Sequence, residues 1–182
     1  WWANYGARVD TAQGIFGFSS RGPSEGGALA PAVSAPGSAI STTPTWVPGT
    51  AVPEAGYSLP NGYGMFNGTS MAAPQVAGDT ALLLSAAKAD GIEAGPTALR
   101  TALTGTAVQI PGVPTTAQGT GLVHVPAAWA QLSKGVRVND YTVSAPVCSS
   151  LSPHLATPNT GAGVYNRCLP GKGGQVVGAD KT

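Results

Sequence analysis

Charge is what this chain has least of. Asp, Glu, Lys and Arg make up 9% of its 182 residues, against about a quarter in an ordinary soluble domain. The net charge is +1. Four basic and six acidic residues lie up to Leu132, and five basic and two acidic after it. Neither part is a basic stripe, so nucleic acid is not an expected partner. Long apolar runs are missing too. None reaches the roughly 18 residues that span a bilayer, and the greasiest stretch still carries Gln75, Asp79, Ser85 and Lys88. A membrane partner is therefore not expected. Two cysteines and two histidines at wide spacing do not make a zinc site, so neither metal nor cofactor is expected. The chain opens on Trp1 rather than Met and shows no signal peptide, and it reads as a fragment or a processed product.

What is present is a chain that is 42% hydrophobic, with 26 Gly and 16 Pro. Disorder goes with low hydrophobicity and high net charge, and neither applies. A compact, loop-rich, largely buried fold follows, or a piece of a larger one. The length is enough for one domain with a real core. Cys148 and Cys168 lie in a Gly/Pro-rich segment near the end. An even count there permits one disulfide and an exported protein. Two free thiols is the other reading, and spacing alone does not choose between them.

Along the chain, the opening stretch through "FSSRGP" mixes β-formers with a turn at Arg21-Gly22-Pro23. Residues 29–43 read as strand, turn at Pro36-Gly37, strand. Residues 44–62, with Pro44, Pro48, Pro53 and Pro60, read as a surface loop. A long helix is expected from about Ser70 to Asp90, stopped by Gly91. Its apolar residues occupy most of the circumference, so it is expected to be buried and central. Pro74 sits near its start, where a missing N–H does least damage. A second helix is expected from Pro96 to Thr104, with Leu99 and Leu103 on one face. "GLVHV" (121–125) reads as a short strand and "PAAWAQL" (126–132) as a short helix. Composition shifts near Ser133. The expected division is residues 1–133 as one domain and 134–182 as the start of a β-rich one.

The stretch "YGMFNGTSMAAPQVAG" (63–78) carries the candidate chemistry. If Gly68-Thr69-Ser70 is a tight turn into the helix, Ser70 lies in the first helical turn. The N–H groups there have no intrahelical partner and the dipole favours negative charge. A serine there has an exposed Oγ on a rigid element, and its own N–H can donate to a developing oxyanion. Gly68 keeps bulk away from an approaching carbonyl, and Ala72 and Ala73 keep the next turn slim. The same pattern also fits Thr69 or Ser70 as a plain N-cap.

The wider run "NGTSMAAPQVAG" resembles the nucleophile motif of the subtilisin-like serine peptidases. "FSSRGP" (18–23), "LAPAVSAPGSAIST" (29–42) and "GTGLVHVPAAW" (119–129) resemble that family's flanking blocks, in the family's order. "SSRGPSEGGAL", "LLLSAAKADGI", "ALRTALTGTA" and "AQGTGLVHV" are most similar to its tripeptidyl-peptidase II branch. The resemblance implies the C-terminal part of an α/β domain with a mainly parallel sheet. It also implies triad residues in the order Asp, His, Ser, with Ser70 as nucleophile of an acyl-enzyme mechanism. Asn67 and Thr69 match positions lining the site, and Met71 matches the residue bordering the leaving-group side. The implied partner is a peptide or protein substrate.

The chain departs from the family in two respects. The motifs of the triad Asp and His, and of the oxyanion Asn, are absent, and Asn4 lacks the Gly-rich context for that last role. The rest of a parent chain is therefore expected to complete fold and triad, and this chain alone is expected to be inactive. His124 reads as a packed or edge strand residue and His154 as a loop residue. Asp10, Asp79, Asp90 and Asp140 lack any family motif. Asp79 lies nine residues beyond Ser70, about 13 Å along the helix and on roughly its opposite side. Gln75 stands where many relatives have His, with little effect expected. The alternatives are an endopeptidase and a non-catalytic binding or structural module. An α/β-hydrolase is disfavoured, because Met71-Ala72 does not continue the Gly-x-Ser-x-Gly pattern. Secretion is expected from composition and the cysteine pair, with a cytoplasmic location as the alternative drawn from the tripeptidyl-peptidase II branch.

Overall fold

The computed structural model describes residues 14–52, 56–136, 143–148 and 151–163. In chain order the strands are β1 (Ser38–Thr42), β2 (Ala51–Val52), β3 (Tyr57–Ser58) and β4 (Tyr63–Asn67). Four helices follow, α1 (Thr69–Ala89), α2 (Pro96–Gly105), α3 (Thr115–Gln118) and α4 (Val125–Leu132). A short pair, β5 (Ala145–Pro146) and β6 (Thr160–Gly161), closes the order. This mixture of helices and strands is compatible with an α/β fold. Two compact units emerge, one within Trp1–Ser19 and Ala35–Leu82, the other within Ser20–Ser34 and Leu83–Thr182.

In the first unit β1 pairs with β4, Ser38 opposite Asn67 and Thr42 opposite Tyr63. The pairing is antiparallel, as are the other two ladders among the described residues. The expected mainly parallel sheet is not found there. The physical reason is local: β1 and β4 are joined by a loop excursion with no crossover helix, and parallel neighbours need one. The excursion, expected as plain loop, contains the β2–β3 hairpin. Leu59 N–H donates to Thr50 O at 2.9 Å, and Met65 N–H to Thr50 Oγ1 at 3.1 Å. Gly49 has no room for a side chain, since a Cβ would stand 1.7 Å from Leu59 O.

Helix α1 forms where the run of Ala, Leu, Val and Met predicts it. Its end is a Schellman motif: Gly91 takes φ +68°, Ile92 N–H donates to Ala87 O at 2.8 Å and Gly91 N–H to Lys88 O at 3.3 Å. The expectation of a buried helix is corrected. Only Leu83 and Ala87 are buried, and Leu82 is 61% exposed. Met71, Ala72, Gln75 and Val76 in its N-terminal half are only half-buried, and an apolar surface is buried only where something packs on it.

The buried hydrophobic core lies in the second unit. Leu83, Ala87, Leu99, Ala102, Leu103, Ile110, Ala117, Ala128, Leu132 and Val147 form it. α2 packs on α4, with Leu99 and Leu103 turned inward as their spacing predicts. Gln118 is buried and fully used. Its Oε1 accepts from Ile110 N–H at 2.6 Å, and its Nε2 donates to Ile110 O at 3.1 Å and Val113 O at 2.6 Å. Gly119 (φ +68°) and Gly121 (φ +127°) turn the chain directly after it. The expected "GLVHV" strand shrinks to isolated bridges of Leu122 with Ser34 and Val108. Further along, Gly163 N–H donates to Gly26 O at 3.0 Å.

Candidate active site

The site is built on the junction of β4 and α1. Strand β4 ends at Asn67, Gly68 turns the corner, and the helix begins at Thr69. Gly68 is the flanking residue that starts the helix. Its carbonyl accepts from Met71 N–H at 3.0 Å and Ala72 N–H at 3.4 Å. Thr69 and Ser70 therefore occupy the first turn, where backbone N–H groups lack intrahelical partners. Both residues are exposed and Met71 is half-buried. No hydrogen bond ties the Ser70 hydroxyl to another described residue. The plain N-cap reading thus loses its basis, because the corner is made by Gly68 and Ser70 sits inside the helix.

There is room at this corner for a β-carbon. A Cβ on Gly68 would meet nothing nearer than Met71 Sδ and Ser70 N, each at 3.7 Å. Packing does not demand glycine there. A side chain would nonetheless start 3.7 Å from the Ser70 amide nitrogen, the donor an incoming carbonyl oxygen would need.

Three bonds fasten the junction to residues 36–38. Gly68 N–H donates to Gly37 O at 2.8 Å. Ser38 Oγ donates to Asn67 Oδ1. Gln75 Nε2, on the next turn of α1, donates to Pro36 O at 2.8 Å. Gly37 is confined on its other side by Phe16, since a Cβ would lie 2.6 Å from Phe16 Cε2. Phe16 in turn stacks on Phe18, with ring centroids 4.8 Å apart.

The structure thus brings Asn67, Gly68, Thr69, Ser70 and Met71 together at one corner. Sequence reasoning missed Ser38 and the anchoring part of Gly37, although the "SAPGS" block that contains them was visible.

The candidate bases and acids fall elsewhere. His124 is not a strand residue, as the sequence suggested, but the N-cap of α4. Its Nδ1 accepts from Ala127 N–H at 3.1 Å. Pro126 fixes a helical start directly after it, and that local preference overrides the short apolar pattern of a strand. His154 is exposed in a 3-10 turn, Ser152–His154. Asp79 is on α1, half-buried, and Asp90 is exposed beyond its end. Asn4, Asp10, Asp140 and Cys168 lie outside the described residues. Cys148 is disulfide-bonded. Among the described residues no group of three His, Cys, Asp or Glu could hold a metal, and no helix is long and apolar enough to cross a membrane.

Residues 6–127 match the model of the subtilase family, Peptidase_S8. The chain belongs to the subtilase family. Within the match stand the Asn67–Met71 corner and the Pro36–Ser38 segment that holds it. Tripeptidyl-peptidase 2 of Oryza sativa subsp. japonica is 37% identical over 138 residues, covering 73% of this chain and 9% of that protein. Tripeptidyl-peptidase 2 of Arabidopsis thaliana is 38% identical over 119 residues, covering 64% and 8%. Pyrolysin of Pyrococcus furiosus is 39% identical over 120 residues, covering 62% and 8%. The chain therefore spans less than a tenth of these relatives' length. Among solved structures, a lanthipeptide protease superposes with a TM-score of 0.40 at 26% identity, over 51% of this chain and 28% of that one.

Proposed function

We propose that this chain carries the nucleophile half of a serine peptidase and that Ser70 is the attacking residue. The observation that carries the reading is the β4–Gly68–α1 corner. It presents the exposed Ser70 beside the Thr69 and Ser70 amides of the first turn, which have no intrahelical partner, in a chain of the subtilase family. In the reaction, a base removes the Ser70 proton as Oγ attacks the scissile carbonyl. The oxyanion collects on the Ser70 N–H, the amine leaves, and water releases the acyl group. The base and its orienting carboxylate come from the rest of the parent protein. Ile40 and Tyr63 on one side of the β1–β4 pair, Phe66 on the other, and Leu82 on α1 are exposed in the first unit, and the rest of that parent covers them.

Similarity to proteins named tripeptidyl-peptidase 2 supports release of tripeptides from free N-termini. An endopeptidase is the second reading. Residues 134–182 open a further β-rich segment under the same proposal. The disulfide at Cys148 supports an oxidising, exported setting.

The test is fluorophosphonate labelling of the intact parent enzyme. Labelling that maps to Ser70 and disappears in Ser70→Ala supports the assignment, and labelling that survives the substitution overturns it. Digestion of one peptide with free and blocked N-termini separates the two peptidase readings. Residues 1–182 expressed alone should not label, because a lone serine loses orders of magnitude in rate without its base.

A further inference from the structure

We propose that Gln75 is a positioning residue for the nucleophile, acting through the backbone of Pro36. The inference rests on the reading of Ser70 as nucleophile and adds a residue to that site. Gln75 lies five residues beyond Ser70, about 7.5 Å along the helix axis, so its amide acts on the support of the hydroxyl rather than on the hydroxyl.

That support is a three-residue strap. Pro36, Gly37 and Ser38 are each bonded to a different point on the β4–α1 corner. Gln75 Nε2 reaches Pro36 O at 2.8 Å, and Gly68 N–H reaches Gly37 O at 2.8 Å. Ser38 Oγ reaches Asn67 Oδ1. Two of the three bonds fall before the nucleophile, at Asn67 and Gly68. Only the bond from Gln75 falls after it, on the helix itself.

Gly68 holds the corner through its backbone bonds alone, because it has no side chain and the nearest atoms to where one would be are 3.7 Å away. Without Gln75, strand and helix would be joined to the strap on the strand side alone, with Gly68 as a hinge between them. With Gln75, the strap is stitched on both sides of Ser70, and the helix keeps its rotation relative to β1 and β4. Small displacements of a reacting group are costly in rate, so the effect is expected on the acylation step. The residue type fits the task. A carbonyl oxygen needs a donor, and a Gln amide supplies one on a chain long enough to cross from α1 to the strap.

The experiment uses the intact parent enzyme, with saturation kinetics of fluorophosphonate labelling giving KI and kinact. The main variant is Gln75→Glu, which keeps size and shape but replaces the donor by an acceptor. The expected result is a kinact about tenfold lower, with KI within about twofold and the melting temperature of the peptidase domain nearly unchanged. Gln75→His, which keeps an N–H donor, should restore most of the loss. A Gln75→Glu enzyme that labels at the original rate overturns the proposal. So does a loss that Gln75→His shares in full, or one accounted for by the unfolded fraction. Ser70→Ala, run alongside, keeps the two claims apart. If it still labels, the nucleophile assignment falls and the positioning role with it. If it is silent while Gln75→Glu is unaffected, only the positioning role falls.

Discussion

The amide of Gly68, two residues ahead of the candidate nucleophile, donates to the carbonyl of Gly37, 33 residues ahead of it, at 2.8 Å. This bond extends the β1–β4 pairing by one step past Asn67, up to the first residue of α1. It makes the start of the helix a continuation of the sheet ladder. The position of Ser70 is thereby set by strand pairing as well as by helix formation.

Gly37 should not tolerate a methyl group. A Cβ would lie 2.6 Å from Phe16 Cε2 and 3.3 Å from Gly68 O. The Gly37→Ala enzyme must displace either the Phe16 ring or the strap. A destabilisation of about 1–3 kcal/mol is expected, with a fall in Ser70 labelling larger than the unfolded fraction explains. Thermal melting and labelling of the same sample check it.

Gly68→Ala should behave in the opposite way. The added methyl finds ordinary contact distance, 3.7 Å to its nearest neighbours, so stability should change by less than about 1 kcal/mol. The same methyl lies 3.7 Å from the Ser70 amide nitrogen and is expected to crowd an oxyanion bound there, so the acylation rate should fall by one to two orders of magnitude, up to the range seen on deleting an oxyanion donor. Equal rates in the two enzymes would remove Gly68 from the site.

His124→Ala should cost about 1 kcal/mol through loss of the cap on α4, while each folded molecule labels at the original rate. His124→Asn should recover the stability. A loss of labelling without a loss of stability would instead make His124 part of the catalytic machinery, against its observed bond to Ala127 N–H.

Gln118→Leu should be the most disruptive of these changes. It removes the partner of Ile110 N–H and two carbonyl contacts from a buried site. Leaving such groups unsatisfied is expected to cost about 2–4 kcal/mol. Faster amide hydrogen exchange around Ile110 and Val113 would locate the damage.

Much of this could be read from the order of residues. Helix α1 and its stop at Gly91 follow from propensity and from the one residue that takes positive φ at no steric cost. The helix at Pro96 and the inward face of Leu99 and Leu103 follow from period. The family follows from "NGTSMAAPQVAG" and its flanking blocks. Less local features were hidden. Strand β4 interrupts its β-formers with Gly64, and its pairing with β1 depends on residues far away in sequence. The capping role of His124 was masked by an apolar run that looks like a strand.

The sequence by itself determined that a serine would stand in the first turn of a long helix, and which family that helix belongs to. Both are properties of contiguous residues, where propensity and motif act within a few positions. Only the tertiary structure decided how that serine is held: Pro36, Gly37 and Ser38 meeting Gln75, Gly68 and Asn67, each pair separated by about thirty residues or more. Side-chain reach and backbone hydrogen bonding choose such partners, and they operate only after β1 and β4 have come together.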